Sequence, residues 1–289
     1  MNQTEYGLIE KPYVTVIVPV YNEESCVKDC IVSLLEQDFR PLEILAVDDG
    51  SIDNSVKICE QLEISVLRQD HKGPGAARNL GARNAKGNIL VLVDADMTFA
   101  SDYIERLIEP IVTGQTIATC HWNERVANWD NPWARCQTWF ISLPDKKRHS
   151  LVVPEYERVY RAVRKDFFLD TGGFSEDEGR ADDSSIARRT RVLSKIVSDA
   201  ICYHRNFETP RETFVNAIWH GRNMVAKNHT FLRSILVLLI YKNPILKILK
   251  GLRLALIKKE IRMIPYSIIY TLGFVIGTLR AIFSGYYLK

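Results

Sequence analysis

The sequence predicts an α/β fold with a mostly parallel central sheet. Over about the first 100 residues, short apolar segments alternate with segments of helical periodicity, a pattern typical of a parallel sheet covered on both faces. Several of the apolar segments are followed directly by polar residues, at the sheet edge where ligands bind in such folds. With 289 residues, 46% hydrophobic and 25% charged, the chain is long enough for one large folded domain and an appendage.

Four strands and three helices are predicted before the middle of the chain. YVTVIVPVY predicts the first strand, and the helix VKDCIVSLLEQ follows it, with Asn22 or Ser25 as the N-cap. LEILAVDD and NSVKICEQL repeat this strand and helix. ISVLRQ predicts a third strand, GPGAARNLGARNAKG a glycine-rich entry into a helix, and ILVLVDAD a fourth strand. Right-handed crossovers would bring the carboxyl ends of these strands to one edge of the sheet.

The second half of the chain is less regular. The aromatic stretch between Cys120 and Ser150 indicates no element clearly, whereas TGGFSEDEGRADDSSIARRTRVL predicts a turn, an acidic loop and a helix opened by Asp182 and Asp183. The six cysteines are scattered without a CxxC pair, as expected of reduced core residues. The N-terminal residues lack a basic region followed by an apolar run, so we predict no signal peptide and a cytoplasmic catalytic part.

The composition changes after Asn228. Residues 231–289 contain ten lysines and arginines and a single acid, Glu260, whereas the net charge of the whole chain is only +3. That small net charge argues against a nucleic-acid partner, and the basic, apolar end indicates an anionic membrane surface. We therefore predict a catalytic domain at 1–228 and basic, amphipathic, membrane-associated helices at 229–289. The alternative is that these helices cover the globular domain.

Two features of this C-terminal region bear on how it meets a membrane. Lys247, Lys250, Arg253 and Lys258 are expected broadly on one helical face, as in a helix that lies in the membrane interface. No stretch gives about 20 uninterrupted apolar residues, so a span is predicted only near 264–288. The GxxxG of Gly273 and Gly277 lies there and would permit close helix contact.

Asp94 and Asp96 end the fourth predicted strand one residue apart. Two carboxylates so close raise each other's pKa unless a cation shares them, and carboxylate oxygens suit Mg²⁺ or Mn²⁺. Because Mg²⁺ usually keeps positions for water and substrate phosphates, such a pair indicates a site for a nucleoside diphosphate. The alternative is a solvated turn, since aspartate is a favoured turn residue.

Several motifs occur together in an order and spacing found in one enzyme family. They are VIVPVYNEE, EILAVDDGSIDNS, GPGAARNLGARNAKG, LVDADM, and TGGFSE followed by ADDSSIARR. On these motifs the chain, over residues 13–228, resembles the family 2 glycosyltransferases. The resemblance implies the Rossmann-like GT-A fold and inverting transfer of a sugar from a nucleotide donor.

The resemblance also implies a nucleotide pocket. The residues that would line its base and ribose part are Pro19, Tyr21, Glu23 and Asp49, with Asp48 structural. The glycine-rich loop would approach the nucleotide, because small residues admit close backbone contact and arginine supplies charge to phosphate. Its residues are Gly73, Gly75, Arg78 and Asn79. Taken alone, this loop is equally typical of a tight connection with a solvated arginine.

The metal and transfer residues follow from the same resemblance. Asp96 would bind the metal, Asp94 the metal, ribose or sugar, and His204 would complete the site, although a lone histidine after a strand is often structural. Asp183 would be the base that takes the acceptor proton. Asp182 or Glu176 would be the alternative base, and helix capping is the other role open to Asp182 and Asp183.

The acceptor side is less specific. The loop that would shape the sugar and acceptor pocket contains Gly172, Gly173 and Phe174, with Asp182 nearby. IWHGRN, with Trp219, His220 and Arg222, stands where processive relatives carry a Trp/Arg motif but departs from it. We infer no polymer synthesis from it, and packing against the C-terminal helices is the alternative.

These observations predict a metal-dependent hexosyltransferase on the cytoplasmic face of the membrane. Its donor would be a UDP-sugar first and a GDP-sugar second, and its acceptor a lipid-linked or cell-envelope glycan, as in polysaccharide biosynthesis. A polyprenyl-phosphate glycosyl synthase is an alternative, in which Asp183 would position an acceptor that is already anionic.

A nucleotidyltransferase would carry a glycine-rich basic loop in place of PVYNEES, and a non-catalytic scaffold would not need all of the acids. A dinucleotide oxidoreductase is excluded, since GxGxxG is absent after Val20.

Overall fold

The computed structural model describes residues 7–176, 183–224 and 243–284. The chain divides into two compact units: Met1–Arg125 with Leu151–His204, and Val126–Ser150 with Arg205–Lys289. The predicted domain boundary between residues 228 and 229 lies outside the described residues, as does the apolar stretch at 231–241.

The first unit contains a nine-stranded sheet. Its strands are β1 Val14–Val20, β2 Leu42–Asp48, β3 Ser65–Arg68, β4 Ile89–Leu92, β5 Met97–Phe99, β6 Ala118–Val126, β7 Tyr156–Glu157, β8 Ala162–Arg164 and β9 Ser194–His204. They lie in the order β3-β2-β1-β4-β8-β6-β9-β5, with β7 paired to β9. The helices of this unit are α1 Val27–Leu35, α2 Ser55–Gln61, α3 Pro74–Asn84, α4 Tyr103–Val112, α6 Lys165–Asp170 and α7 Ser185–Thr190.

The sheet is mixed, and the predicted parallel part is its N-terminal half. β1 pairs in parallel with β2 and β4, and β2 with β3. β8 pairs antiparallel with β4 and β6, and β9 with β5 and β7. The prediction of a mostly parallel sheet therefore holds only for the first four strands. β5 follows β4 after four residues, too few for the crossover that a parallel neighbour requires.

The two faces of the sheet are buried under different helices. Alternate residues of β1 separate between two hydrophobic cores: Val16 and Val18 join the core that contains Ile31 of α1, whereas Ile17 joins the one that contains Ala77 of α3. Because side chains of a strand point to opposite faces in turn, this division follows from the strand period. Burial on both faces explains why the strand sequences are almost continuously apolar.

The predicted helix caps differ from the observed ones. α1 begins at Val27, its N-cap residue is Cys26, and no side chain caps it. Asn22 instead adopts φ 57°, and its Oδ1 accepts a hydrogen bond from the Ile52 amide at 2.9 Å. The asparagine therefore ties the loop after β1 to the loop after β2. Ser184 is the N-cap residue of α7, so Asp183 does not open that helix, and Asp182 lies outside the described residues.

The second unit is helical in its described part. Its helices are α5 Pro132–Phe140, α8 Pro210–Met224, α9 Pro244–Lys258 and α10 Met263–Ser284. Sequence alone did not reveal α5, which has Asn131 as N-cap with its side chain accepting from the Trp133 amide. A hydrophobic core joins α5 to α10 and contains Cys136, Trp139, Phe140, Met263 and Tyr266.

Glycines bring α8 and α10 into backbone contact. A Cβ on Gly277 would lie 1.9 Å from the Ile218 carbonyl oxygen, and one on Gly221 would lie 2.1 Å from that of Phe274. The GxxxG pair thus supports close helix contact, and its partner is α8 of the same chain. α10 is the one helix of the described part long and apolar enough to cross a membrane, and 44% of its apolar window is buried. His220 of α8 packs here too, with Nδ1 3.1 Å from the Tyr270 hydroxyl.

The lysines of α9 face into the second unit. Lys247 Nζ lies 3.6 Å from the ring centre of Phe274, Lys250 Nζ 5.6 Å from that of Phe140, and Lys258 5.1 Å from that of Trp139. Arg253 lies at the edge of that face. At 100° per residue it is about 60° from Lys250 and about 120° or more from Lys247 and Lys258, and unlike the lysines it is exposed.

Candidate active site

A cleft of about 330 Å³ lies at the carboxyl ends of the parallel strands. Its walls come from the loops after β1, β2, β3 and β4 and from the end of β9. The lining residues are Pro19, Val20, Tyr21, Glu23, Asp49, His71, Pro74, Asp94, Ala95, Asp96 and His204. The three strand ends that the sequence singled out therefore meet in one cleft, because parallel strands end at a common edge.

The loop after β1 supplies an aromatic ring and a partly buried acid. The ring of Tyr21 stacks on that of His71 with centroids 4.1 Å apart, and both side chains remain substantially exposed. The Glu23 amide donates to Ser55 Oγ at 2.7 Å. Burial raises the pKa of Glu23, with further contributions from the nearby charges of Asp96 and Asp94, while the Cys26 thiol acts to lower it. Glu23 is thus held at the cleft in an environment unfavourable to its charge.

Asp49 organises the loop that follows β3. Its carboxylate accepts hydrogen bonds from the amides of Lys72 and Gly73, both at 2.8 Å, and from Gln69 Nε2 at 2.7 Å. Its Oδ2 also lies 2.9 Å from His71 Nδ1, and the residue is only 2% exposed. The loop over residues 69–73 is therefore closed onto the end of β2. Asp48, whose Oδ1 accepts from the Ser51 amide at 3.0 Å, has the structural environment that the sequence suggested.

Asp94 is bound by two arginines. Arg78, buried on α3, forms an ion pair with Asp94 Oδ1, and Arg161 Nη1 lies 3.1 Å from Oδ2. Burial alone would raise the pKa of Asp94, but the charges of Arg161 and Arg78 hold it well below its usual range. Asp94 is therefore an ionised anchor whose charge is already compensated, and Arg78 does not lie on a solvated face.

Asp96 and His204 form the open part of the acidic cluster. The Nε2 of His204 lies 2.9 Å from Oδ2 of Asp96, and 35% of the Asp96 side chain is exposed. The Nδ1 of His204 lies 2.6 Å from Oε1 of Glu124 on β6. A carboxylate oxygen and an imidazole nitrogen thus lie within hydrogen-bond distance of one another in the wall of the cleft.

These two donors fit a divalent cation. Carboxylate oxygen suits Mg²⁺ and Mn²⁺, and imidazole nitrogen suits transition metals. Asp94 fits this role less well, because Arg78 and Arg161 already neutralise its carboxylate. With one or two protein donors, such a site leaves coordination positions for water or for phosphate oxygens.

The predicted sugar and acceptor loop packs beside α3 and does not line the cleft. Asn79 donates from Nδ2 to the Phe174 carbonyl and accepts from the Phe174 amide, both at 2.9 Å. A Cβ on Gly173, at φ +70°, would lie 2.4 Å from Asn79 Oδ1, so only glycine fits. Glu176 accepts from the same Asn79 at 3.1 Å. Gly75 lies buried in the first turn of α3, and Gly172 beside Gly173 is exposed.

The charge of Asp183 acts on the thiol of Cys120 of β6. Burial is the main cause of the raised pKa of the Cys120 thiol, to about 12, and the carboxylate of Asp183 adds to it. Asp183 is partly buried just before α7 and is not among the residues that line the cleft. Its assignment as the base stays a prediction, and Asp182 lies outside the described residues.

The structure adds four residues that sequence reasoning missed. Gln69 and His71 follow β3, so the rule applied to the other strand ends would have found them. Arg161 and Glu124 belong to the antiparallel part of the sheet, where no strand-end signal exists and where the elements between residues 120 and 150 had not been assigned. Tertiary pairing of β8 and β6 alone brings these two to the acids.

Comparison with known proteins agrees with this architecture. Glycosyltransferase GlyA of Streptococcus pneumoniae is 40% identical over 107 residues, which is 35% of this chain and 15% of GlyA. The undecaprenyl-phosphate 4-deoxy-4-formamido-L-arabinose transferase of Pseudomonas fluorescens is 27% identical over 169 residues, 54% of this chain and 49% of that protein. The chain thus spans less than half the length of these relatives.

Two solved structures share the fold. The mannosyltransferase PcManGT of Pyrobaculum calidifontis, in complex with GDP-Man and Mn²⁺, superposes with a TM-score of 0.59 at 18% identity, covering 96% of this chain and 88% of the other. Residues 1–349 of Staphylococcus aureus TarS, in complex with UDP-GlcNAc, give a TM-score of 0.52 at 16% identity, covering 89% and 90%. The GT-A fold expected from the sequence is confirmed.

The family model named Glycosyl transferase family 2 matches residues 15–170. This range includes β1 from its second residue, β2 to β5, the glycine-rich entry to α3, the three aspartates of the cleft and Arg161, and it exceeds half of the chain. The protein belongs to glycosyltransferase family 2.

Proposed function

We propose that this protein transfers a sugar from a nucleoside diphosphate donor to an acceptor held at a membrane surface, with inversion at the anomeric carbon. The observation that carries the proposal is the cleft in which Asp96 and His204 lie beside the loop closed by Asp49. It combines a site for a cation with a site for a nucleotide at the carboxyl ends of parallel strands.

The base and ribose would bind between the ends of β1 and β2. Tyr21 and His71 offer a stacked, exposed aromatic surface, which suits a planar base. Asp49 would hold the loop that forms the floor of this pocket, because its carboxylate accepts hydrogen bonds from donors in residues 69–73. UDP is the first candidate and GDP the second. The two solved structures named above are complexes with UDP-GlcNAc and with GDP-Man.

The diphosphate would bind next to Asp96 and His204. We propose Mn²⁺ as the preferred cation and Mg²⁺ as the weaker one, because an imidazole ligand favours transition metals. When bound, the cation would neutralise charge on the departing diphosphate. Arg78 and Arg161 would keep Asp94 ionised and fixed at the edge of this site, so that its position does not depend on the cation.

Asp183 is the proposed base for a hydroxyl acceptor. A hydroxyl is barely ionised at neutral pH, so a carboxylate must take its proton as the new bond forms. The loop from Gly172 to Phe174, fixed to Asn79, would support the sugar side of the pocket. The two hydrogen bonds between Asn79 and Phe174 would keep that loop in register with α3.

The proposed membrane contact is the outer face of α9. Ile245, Leu249, Leu252 and Leu256 lie on the side opposite the lysines and are 39% to 82% exposed. Arg253, Lys259, Arg262 and Arg280 are exposed basic residues of the same helical region. An exposed apolar row among basic side chains suits an anionic lipid surface.

A second candidate is transfer to a polyprenyl phosphate. The similarity to an undecaprenyl-phosphate transferase favours it, as does the apolar face of α9. In that reaction the phosphate oxygen of the acceptor is already anionic. Asp183 would then position the acceptor instead of removing a proton from it.

The test uses the full-length protein with a panel of UDP- and GDP-sugars. We expect slow release of one nucleoside diphosphate with Mn²⁺, less with Mg²⁺, and none with chelator. Asp96→Ala should weaken Mn²⁺-dependent UDP or GDP binding at least about ten-fold, while the exposed Asp29→Ala control binds normally. Equal binding with and without chelator would contradict the metal site. Formation of pyrophosphate from a nucleoside triphosphate and a sugar phosphate would instead indicate a nucleotidyltransferase.

A further inference from the structure

A series of polar side chains runs from the core of the first unit to His204. The Tyr103 hydroxyl lies 2.8 Å from His121 Nδ1, and His121 Nε2 lies 3.3 Å from Glu124 Oε2. Glu124 Oε1 lies 2.6 Å from His204 Nδ1, and His204 Nε2 faces Asp96. Tyr103, His121 and Glu124 are at most 5% exposed. Polar groups this deeply buried need matched partners.

The contacts of Glu124 determine where the facing protons of both histidines lie. A carboxylate oxygen accepts hydrogen bonds, so the facing nitrogens, Nδ1 of His204 at 2.6 Å and Nε2 of His121 at 3.3 Å, are the donors. The other nitrogen of His121 then accepts from the Tyr103 hydroxyl. By the same rule the Nε2 of His204 carries a proton toward Asp96 when no cation is bound, and a cation would replace that proton.

The charge of Arg161 acts on both acids of the site. Burial acts against a charged Arg161, yet the carboxylates of Asp94 and Glu124 hold the pKa of its guanidinium above the ordinary value. The same guanidinium contacts Asp94 directly. The acid behind His204 and the acid at the edge of the cleft therefore share one cation, whose side chain is 16% exposed.

We propose that Glu124 is a positioning residue that holds the proton of His204 on Nδ1 and so presents Nε2 to the cation. This inference rests on the proposed function, in which His204 binds the metal. A histidine ligand needs a lone pair on the nitrogen that faces the metal, and a carboxylate on the opposite nitrogen fixes the ring and increases its basicity. Tyr103 and His121 would hold Glu124 in place.

The open end of this series argues for a ligand-directed role. A purely structural histidine pair would end among core residues, whereas this series ends at a nitrogen in the wall of the cleft, 2.9 Å from the partly exposed Asp96. Glu124 itself does not line the cleft, so it can act on a cation there only through His204.

The first measurement is NMR of the histidine ring nitrogens in the protein bound to ¹¹³Cd²⁺ and UDP, a diamagnetic complex. We expect a neutral His204 with its proton on Nδ1 and a cadmium–nitrogen coupling at Nε2; His204→Gln assigns the signals. A proton on Nε2, or no coupling at His204, would overturn the inference without any requirement that a variant folds.

The second measurement is Mn²⁺ titration by electron paramagnetic resonance, with UDP present. Glu124→Gln should weaken Mn²⁺ binding about ten- to hundred-fold, because a glutamine places an N–H donor against one of the two histidines. The matched control is Glu43→Gln, which removes a carboxylate of similar burial, 10% exposed against 6%, far from β6 in the sheet. It should bind Mn²⁺ like the wild type.

A double-mutant cycle separates positioning from general damage. In the His204→Ala background, Glu124→Gln should have no further effect on Mn²⁺ affinity, since Glu124 acts through His204. An equal loss in both backgrounds, or wild-type affinity in Glu124→Gln, would overturn this inference and leave the proposed function standing. If the wild type itself shows no Mn²⁺-dependent UDP binding, both fail.

Discussion

At the level of single residues, Asp94 and Asp96 differ in their partners although one residue separates them. Asp94 is compensated by Arg78 and Arg161, whereas Asp96 has an exposed carboxylate that faces His204. The two acids of this short motif can therefore have different roles. Asp94 is held in place at the edge of the site, and the carboxylate of Asp96 is accessible to a cation. The repulsion between the two charges is reduced by the two arginines that contact Asp94.

Asp183 gives a residue-level test of the transfer step. Asp183→Asn keeps the size of the side chain but cannot take a proton, so transfer to a hydroxyl acceptor should fall at least about a hundred-fold while UDP binding stays normal. Steady-state rates and calorimetric UDP affinity check this. The exposed Asp170→Asn serves as the control with normal rates, and full activity in Asp183→Asn would remove the base assignment.

Glu43 gives a residue-level test of pH dependence. It accepts from the Thr15 hydroxyl at 2.6 Å and the Lys86 amide at 2.9 Å, which joins β1, β2 and the turn before β4. Burial acts to raise its pKa, but these hydrogen bonds lower the pKa of Glu43 below the usual value. Its stabilisation is therefore complete above an unfolded-state pKa of about 4.3 and is lost as the pH falls through the lower folded-state value.

We expect Glu43→Gln to reduce the free energy of unfolding by about 1–2 kcal/mol at neutral pH. The difference from the wild type should shrink below about pH 4, because the wild-type carboxyl is then progressively protonated. Urea unfolding at several pH values checks this. Glu60→Gln, which removes an exposed ion pair with Arg68, should give a small effect at neutral pH; a Glu43 effect that grows on acidification would contradict the assignment.

At the level of elements, the pairing of α8 with α10 limits what the apolar helix can do. Gly221, Gly273 and Gly277 remove the side chains that would separate the two backbones. α8 carries exposed charged residues, Arg211, Glu212 and Arg222. If α10 crossed a membrane, these charges of its partner would be brought toward the hydrocarbon at a high cost, so we expect α10 to lie along the surface.

Gly277→Ala tests this pairing. The added Cβ would lie 1.9 Å from the Ile218 carbonyl oxygen, so the helices must move apart, at a cost of about 3 kcal/mol. Urea unfolding followed by circular dichroism measures the loss. Leu279→Ala changes an exposed side chain on the same helix, 37% exposed, and should cost about 1 kcal/mol or less. Wild-type stability in Gly277→Ala would show that the contact is not made.

At the level of the whole molecule, charge and apolar surface are separated along the chain. The acids of the cleft belong to the first unit, and the exposed apolar row of α9 belongs to the second. The lysines of α9 make cation–π contacts with aromatic rings. The membrane affinity of α9 would therefore come from its apolar row and from the other basic residues.

Vesicle binding tests this separation. We expect the full-length protein to sediment with vesicles of phosphatidylcholine and phosphatidylglycerol, less so at high salt because screening weakens the basic contribution. Leu249→Glu with Leu256→Glu should reduce binding at least about ten-fold. Leu35→Glu with Leu193→Glu, two exposed leucines of the first unit, is the control. Unchanged binding of the α9 variant would contradict the proposed contact.

The sequence by itself determined the parallel half of the sheet and the residues at its carboxyl edge. Strand period, helix period and the polar residues after each strand are local signals, and parallel pairing then places Pro19, Asp49, Asp94 and Asp96 together without further information. The ordered motifs also identified the family before any coordinates were considered.

Only the tertiary structure decided which partners these residues have. Arg161 and Glu124 come to the residues that line the cleft, Asp94 and His204, through antiparallel strands whose pairing depends on long-range contacts, so no local pattern marks them. The same holds for α9, where the helical period predicts an amphipathic helix but not which face is buried. The lysines of α9 pack against aromatic rings of α5 and α10. Cation–π contact and packing of the lysine methylene groups favour this arrangement, although it leaves the apolar residues on the opposite side of α9 exposed.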